Sequence, residues 1–151
     1  MRELLTTNSL HNLDWEARCD CHGIVILIDK GGNEQFVPES LKLVELSDAC
    51  KLIPAYSFQY AKGIETVIVG KNVVEIGSSA FRGCDALREV YIPASVTTIR
   101  PVAAVNSAFY ECSSELTVYL EASAVPAEYT EAWNVTSAAG DKVKVVTGVT
   151  R

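Results

Sequence analysis

The apolar positions in the middle of the chain recur as sets with the same internal spacing. One set is Ile64, Val67, Val69 and Val73; the next is Leu87, Val90, Ile92 and Val96. The L-x-x-V-x-I spacing predicts a short strand whose alternate side chains point inward, followed by a turn and a return segment. Setting "IPAYSFQYAKGIETVIVGKNVVE" from Ile53 beneath "IGSSAFRGCDALREVYIPASVTT" from Ile76 gives a gapless match over 23 residues. Ile53, Ile76 and Ile99 open successive units, and Phe58 falls on Phe81.

The pattern continues on both sides. Leu41, Val44, Leu46 and Cys50 stand 23 residues before Ile64, Val67, Val69 and Val73, so a partial unit precedes Ile53. Downstream, "SAFYEC" restates "SAFRGC" after 28 residues, with the five extra residues inside "RPVAAVN", Arg100 to Asn106. An insertion of that kind maps to a loop on one side of a stacked array. No single unit of this size buries its own apolar face, whereas stacked units bury continuous ladders of Ile/Leu, Val and Phe. The expected architecture is a solenoid, with Phe58, Phe81 and Phe109 forming an aromatic ladder on the returning side.

A solenoid exposes its core at both ends unless something covers it. "IVILIDKGGNEQFV" suggests a strand, a turn at Gly31-Gly32 and a second extended piece; Leu4, Leu5, Leu10, Leu13 and Trp15 suggest a short helix or loop. At the other end Tyr129 and Trp133 are expected to close the core, and "KVKVVTGV" alternates like an edge strand. The expected organisation is one structural domain, with an N-terminal cap over 1–40, repeats over 41–122 with the insertion near 100–106, and a C-terminal cap over 123–151.

These residues resemble the BspA-type (Treponema pallidum-type) leucine-rich repeats. "IGSSAFRGCDALREVYIPASVTTI" follows that family's pattern: Ile-Gly, Ala-Phe, a Cys three residues on, a Leu, then Val-x-Ile-Pro and Val-x-x-Ile. The unit from Ile53 is looser, with Pro54 for Gly, Ser57-Phe58 for Ala-Phe and Ala61 for Cys. "ECSSELTVYLEASAVPAEYTEAWN" is similar to the family's closing unit, in which a Leu-Thr-Val-Tyr strand is followed by a Tyr and a Trp. The resemblance implies a β-rich leucine-rich-repeat solenoid. Short parallel strands lie on one face, short helical turns or extended return segments on the other, and caps at the ends. It also implies protein binding, with adhesion or host-surface recognition in many members.

Composition narrows the function classes. The 151 residues carry a formal charge of -6, with no Lys/Arg run, which repels a phosphate backbone and leaves no footprint for nucleic acid. The longest apolar run, Ile24 to Ile28, is far below the ~18–20 residues of a membrane span, so no membrane insertion is expected. The N-terminus shows no signal-peptide core. The chain as it stands therefore reads as cytoplasmic, or as cell-surface or secreted by family resemblance if a leader has been removed.

Candidate chemistry is sparse. The five cysteines, at 19, 21, 50, 84 and 112, match no zinc-ribbon spacing, and a disulfide framework is not expected. Only "CDCH" clusters metal-binding types, and Cys19, Cys21 and His22 lack the second ligand pair of a closed zinc site. Cys84 and Cys112 share a repeat position with Ala61, which reads as a small packed side chain rather than a nucleophile. "VGKN" is not a phosphate loop, since Gly70-Lys71 aligns with the turn residues Pro93-Ala94. No cofactor and no enzyme activity are expected.

Stacking at a fixed period also aligns the outward strand positions. One row is Glu45, Ile68, Tyr91 and Tyr119, and beside it runs Leu43, Thr66, Glu89 and Thr117. Tyr is enriched where proteins bind one another, so the candidate site is Glu45, Thr66, Ile68, Glu89, Tyr91, Thr117 and Tyr119, with a protein or other macromolecular ligand as partner. Equally, such cross-strand pairs stabilise a sheet by themselves. Two other readings stay open: a self-associating structural protein, and a Cys/His-dependent enzyme or metal-binding protein.

Overall fold

The computed structural model describes residues 3–4, 6–7, 15–19, 25–29, 42–46, 48–100 and 104–150, with the backbone alone described up to residue 29 and at Ala104. The described residues form twelve strands. The first four are β1 (Glu3–Leu4), β2 (Thr6–Thr7), β3 (Trp15–Cys19) and β4 (Val25–Asp29). Next come β5 (Leu43–Glu45), β6 (Leu52–Ile53), β7 (Thr66–Ile68) and β8 (Glu75–Ile76). The last are β9 (Glu89–Ile92), β10 (Thr98–Ile99), β11 (Thr117–Leu120) and β12 (Lys144–Val146). A single turn of 3-10 helix, Ala104–Asn106, falls within the insertion.

Among the described residues the fold is the parallel β-solenoid that the repeat implies, of about four turns, with almost no helix. Strands β5, β7, β9 and β11 are parallel neighbours in a six-stranded sheet of order β12-β11-β9-β7-β5-β2. The return side carries a second parallel sheet, β10-β8-β6. The register pairs Val44, Val67, Val90 and Val118 in one line, all fully buried. Identical spacing in each turn makes this register the one that keeps every apolar position inside; a one-residue slip would turn each Val outward.

The returning segments are turns rather than helices. They are nonetheless bonded to the next turn of the solenoid as a sheet would be: Phe58 N donates to Ala80 O at 2.8 Å, and Phe81 N to Ala108 O at 2.8 Å. Tight stacking requires close backbone approach, and Gly77 supplies it. A Cβ there would lie 2.7 Å from the Pro54 carbonyl carbon and 2.8 Å from Ala55 Cα. Gly83 answers a different demand, a left-handed backbone with φ of 71° that Tyr60 (59°) and Glu111 (61°) also adopt at the equivalent positions.

Phe58, Phe81 and Phe109 stack with centroids 5.4 and 5.7 Å apart and planes within 6° of parallel. Trp133 meets Phe109 edge-on at 6.2 Å, and Tyr129 meets Trp133 at 5.2 Å. Both residues are buried, Tyr129 donates to Val96 O at 2.9 Å, and Ser107 Oγ donates to Trp133 O at 2.9 Å. The end of the Phe ladder is thus covered by the two aromatic residues expected to cover it. Among the described residues, five surface ion pairs link consecutive turns, the shortest Arg100–Glu75 at 2.7 Å. Each is exposed and adds at most about 1 kcal/mol.

One expectation is corrected by the backbone. Of the positions expected in a short helix or loop, Leu4 and Trp15 lie in strands instead, while Leu5, Leu10 and Leu13 lie outside the described residues; β1 pairs with β3 and β3 with β4, all antiparallel. β2 pairs antiparallel with β5, Thr6 with Glu45 and Thr7 with Val44, and so extends the main sheet. The turn expected at Gly31-Gly32 and the extended piece after it lie outside the described residues. At the far edge β12 runs parallel to β11, in line with the alternation of "KVKVV".

Candidate functional site

Alternation along β9 sends Val90 and Ile92 into the core and leaves Glu89 and Tyr91 half-buried on the outer surface. β11 repeats the arrangement with Val118 and Leu120 inward, Thr117 and Tyr119 outward. The register then builds both predicted rows. Glu45, Ile68, Tyr91 and Tyr119 are successive partners, and Val146 of β12 extends the line. Leu43, Thr66, Glu89 and Thr117 form the second row, which Lys144 extends.

The Tyr91 and Tyr119 rings are stacked, with centroids 4.8 Å apart and planes 12° from parallel. That distance matches the ~4.7–4.9 Å between hydrogen-bonded strands, so the ring pair is a direct consequence of placing Tyr at one outward position of two adjacent turns. Tyr91 also donates from its hydroxyl to Glu89 Oε2 at 3.4 Å.

Beside this row lies a groove of about 300 Å³, open to solvent, running past the ends of the strands. Glu45, Ile68, Tyr91 and Tyr119 line it on the sheet side; Lys71, Glu121 and Val149 line the other. Thr66, Glu89 and Thr117 belong to the neighbouring row and do not line it. Glu121 Oε1 accepts from Ala94 N at 3.0 Å, which holds that carboxylate in place, and Lys71 Nζ pairs with Asp48 at 3.2 Å. Val149 reaches the groove because its N–H donates to Leu120 O at 3.0 Å. Repeat alignment does not reveal this outer wall. The turn positions Asp48, Lys71 and Ala94 fall in one register and could have been stacked as the strand positions were, but Val149 lies outside the repeat and carries no such signal.

The thiols are packing groups with one added function. Cys84 is fully buried and its Sγ donates to Phe58 O at 3.1 Å; Cys112 Sγ donates to Phe81 O at 3.0 Å. Each carbonyl also accepts a backbone N–H, from Ala61 and Cys84 respectively, so the thiol occupies the second lone pair. Burial pushes the Cys84 thiol up to about 12 and the Cys112 thiol well above its usual value, which suppresses the nucleophilic thiolate. The expectation of no disulfide is corrected at Cys50, which is fully buried in the core and disulfide-bonded, with its partner outside the described side chains.

The candidate ligands Cys21 and His22, and the side chain of Cys19, lie outside the described residues. Among the described residues no group of three His, Cys, Asp or Glu is arranged to hold a metal ion, and no helix is long and apolar enough to cross a membrane. On the return side Arg82 lies over the Tyr110 ring at 5.1 Å and bonds Glu111 at 2.9 Å. That bond raises the guanidinium's pKa and lowers the carboxylate's. The pair joins two turns of the solenoid.

The model of the BspA-type leucine-rich-repeat region matches residues 29–125, in six copies. No curated protein and no solved structure matches the chain.

Proposed function

Because the chain belongs to the BspA-type leucine-rich-repeat family, we propose that it is a non-catalytic protein-binding module whose partner docks on the strand face around Tyr91 and Tyr119. The family model supports a repeat-based interaction module in general. The observation that carries the specific surface is the stacked tyrosine pair, half-buried on its sheet and bordering a solvent-open groove. Tyrosine offers a large, rigid, amphipathic contact area at low conformational cost, and residues of this type concentrate binding energy in protein interfaces. Ile68 on one side and Val146 on the other continue the apolar strip. Glu45, Thr66, Glu89 and Thr117 supply a polar border, the arrangement of an interface with an apolar centre and a hydrated rim. Adhesion is the biological setting that this family suggests for such a surface.

The test compares wild type with a Tyr91→Ala, Tyr119→Ala double variant in recovery of bound protein, with circular dichroism to confirm that both are folded. The variant is expected to recover at least tenfold less of any partner. Identical recovery from both would place the binding site elsewhere.

A further inference from the structure

We propose that the groove beside Tyr91 and Tyr119 takes an extended polypeptide segment carrying two basic side chains four residues apart, and so on the same face. The inference rests on the binding-module reading above and specifies its partner's chemistry.

Charge is the first argument. Among the described residues, the groove is lined by three carboxylates, Glu45, Asp48 and Glu121, against one ammonium group, Lys71, which is itself paired with Asp48. Glu45 and Glu121 therefore stand as negative charges with apolar ground between them. They belong to the two outer strands of the four that border the groove: Glu45 ends β5, and Glu121 follows β11. The chain as a whole is acidic, at -6, so the long-range field favours the same sign of ligand.

Spacing is the second. From β5 to β11 there are three inter-strand steps of ~4.8 Å, so the two carboxylates are separated by roughly 15 Å. An extended chain advances ~3.3 Å per residue, and four to five residues cover that span. The ground between is Ile68 and the stacked rings of Tyr91 and Tyr119. Lys and Arg side chains bury their aliphatic stems on apolar surface while their charged heads reach solvent or a counter-charge. Stems lying along the tyrosines, with heads at Glu45 and Glu121, satisfy both halves of such a side chain. Exposed ion pairs contribute little affinity by themselves, so the tyrosines carry the binding and the carboxylates select the sign of the partner. A phosphate-bearing polymer is repelled by the same groups. A neutral glycan can stack on the rings and donate hydroxyls to the carboxylates, but it carries no charge for them to attract.

The experiment measures fluorescence anisotropy of a fluorescein-labelled Gly/Ser/Ala peptide with two arginines four residues apart. The controls are the same peptide with glutamines in place of the arginines, and a labelled neutral maltooligosaccharide. The arginine peptide is expected to bind at least about tenfold more tightly than either control and to weaken as salt is raised. Glu45→Gln with Glu121→Gln, which keeps the acceptor for Ala94 N, is expected to lose about tenfold. Glu128→Gln with Glu131→Gln removes the same amount of charge from exposed positions that do not line the groove and is expected to stay within about twofold. Tyr91→Ala with Tyr119→Ala is expected to abolish the difference between peptides.

Equal binding of the arginine and glutamine peptides, tighter binding of the glycan, or equal losses from the two glutamate pairs would each overturn the inference. If the arginine peptide is not preferred while the tyrosine variant still loses its protein partner, the basic-segment inference fails and the binding module stands. If the peptide binds wild type and tyrosine variant alike, the groove is not its site and the basic-segment inference fails; the binding-module reading fails only if the tyrosine variant also recovers its protein partner as wild type does.

Discussion

Replacing Phe81 by Ala tests whether the solenoid is held together through its aromatic ladder. Phe81 is fully buried and is the middle ring of three, stacked on Phe58 at 5.4 Å and on Phe109 at 5.7 Å. Truncating a buried Phe costs about 3–5 kcal/mol in lost transfer energy and cavity formation. Two stacking contacts of about 0.5–1.5 kcal/mol each keep this site clear of the lower end of that range, at about 4 kcal/mol. Because each turn touches only its neighbours, the loss falls on the coupling between adjacent turns as well as on the site itself. In a urea titration followed by tryptophan fluorescence, a loss of ~4 kcal/mol at a slope of ~2 kcal/mol/M moves the midpoint down by about 2 M. Trp133 packs against Phe109 and so reports on the ladder. Phe81→Leu, which keeps most of the volume, is expected to cost about 1.5 kcal/mol or less. A Phe81→Ala midpoint within about 0.5 M of wild type would refute the ladder as the source of coupling.

Three further outcomes are expected. Gly77→Ala should cost about 3 kcal/mol, because its Cβ meets the backbone of Pro54 and Ala55, which cannot swing aside; Gly148→Ala, at φ 71° in open space, should cost only about 1–2 kcal/mol in the same titration. Burial raises the Cys84 thiol from 9.0 to about 12 and raises Cys112 as well, so the unfolded chain ionises first. The stability held by the neutral thiols is complete below the unfolded value and is lost as pH rises toward the folded one, by up to about 1.4 kcal/mol per pH unit for each thiol. Urea midpoints taken above pH ~9 should fall less steeply in Cys84→Ala, Cys112→Ala than in wild type, and equal slopes would contradict the burial argument. With Cys50 in a disulfide, the five cysteines leave three thiols, so alkylation of the unfolded, unreduced protein should add three labels by mass spectrometry; five labels would show that the disulfide does not form.

Much of the core was legible because it is written as a repeat. Ile53, Ile76 and Ile99, the line of valines and the three phenylalanines could be assigned inward from spacing alone, since each repeats its environment one turn later. The outward rows followed from the same register, including the placement of Tyr91 beside Tyr119. Cys84 was legible as a packed residue from its equivalence with Ala61, but its hydrogen bond to Phe58 O was not, because nothing local states which lone pair on the previous turn remains to be filled.

The sequence by itself therefore determined the repeat, the parallel register and which face of each strand is buried. These are local, periodic choices, and each copy of the motif restates them. Tertiary structure alone decided the contacts made between segments of unrelated sequence. Thr6 and Thr7 carry no apolar period, yet they pair with β5 and extend the sheet. Val149 lies beyond the repeats, yet it is bonded to Leu120 and closes the groove beside the tyrosines. Such contacts depend on how the segments flanking the repeats pack against the array, and no spacing rule encodes them because each is made only once.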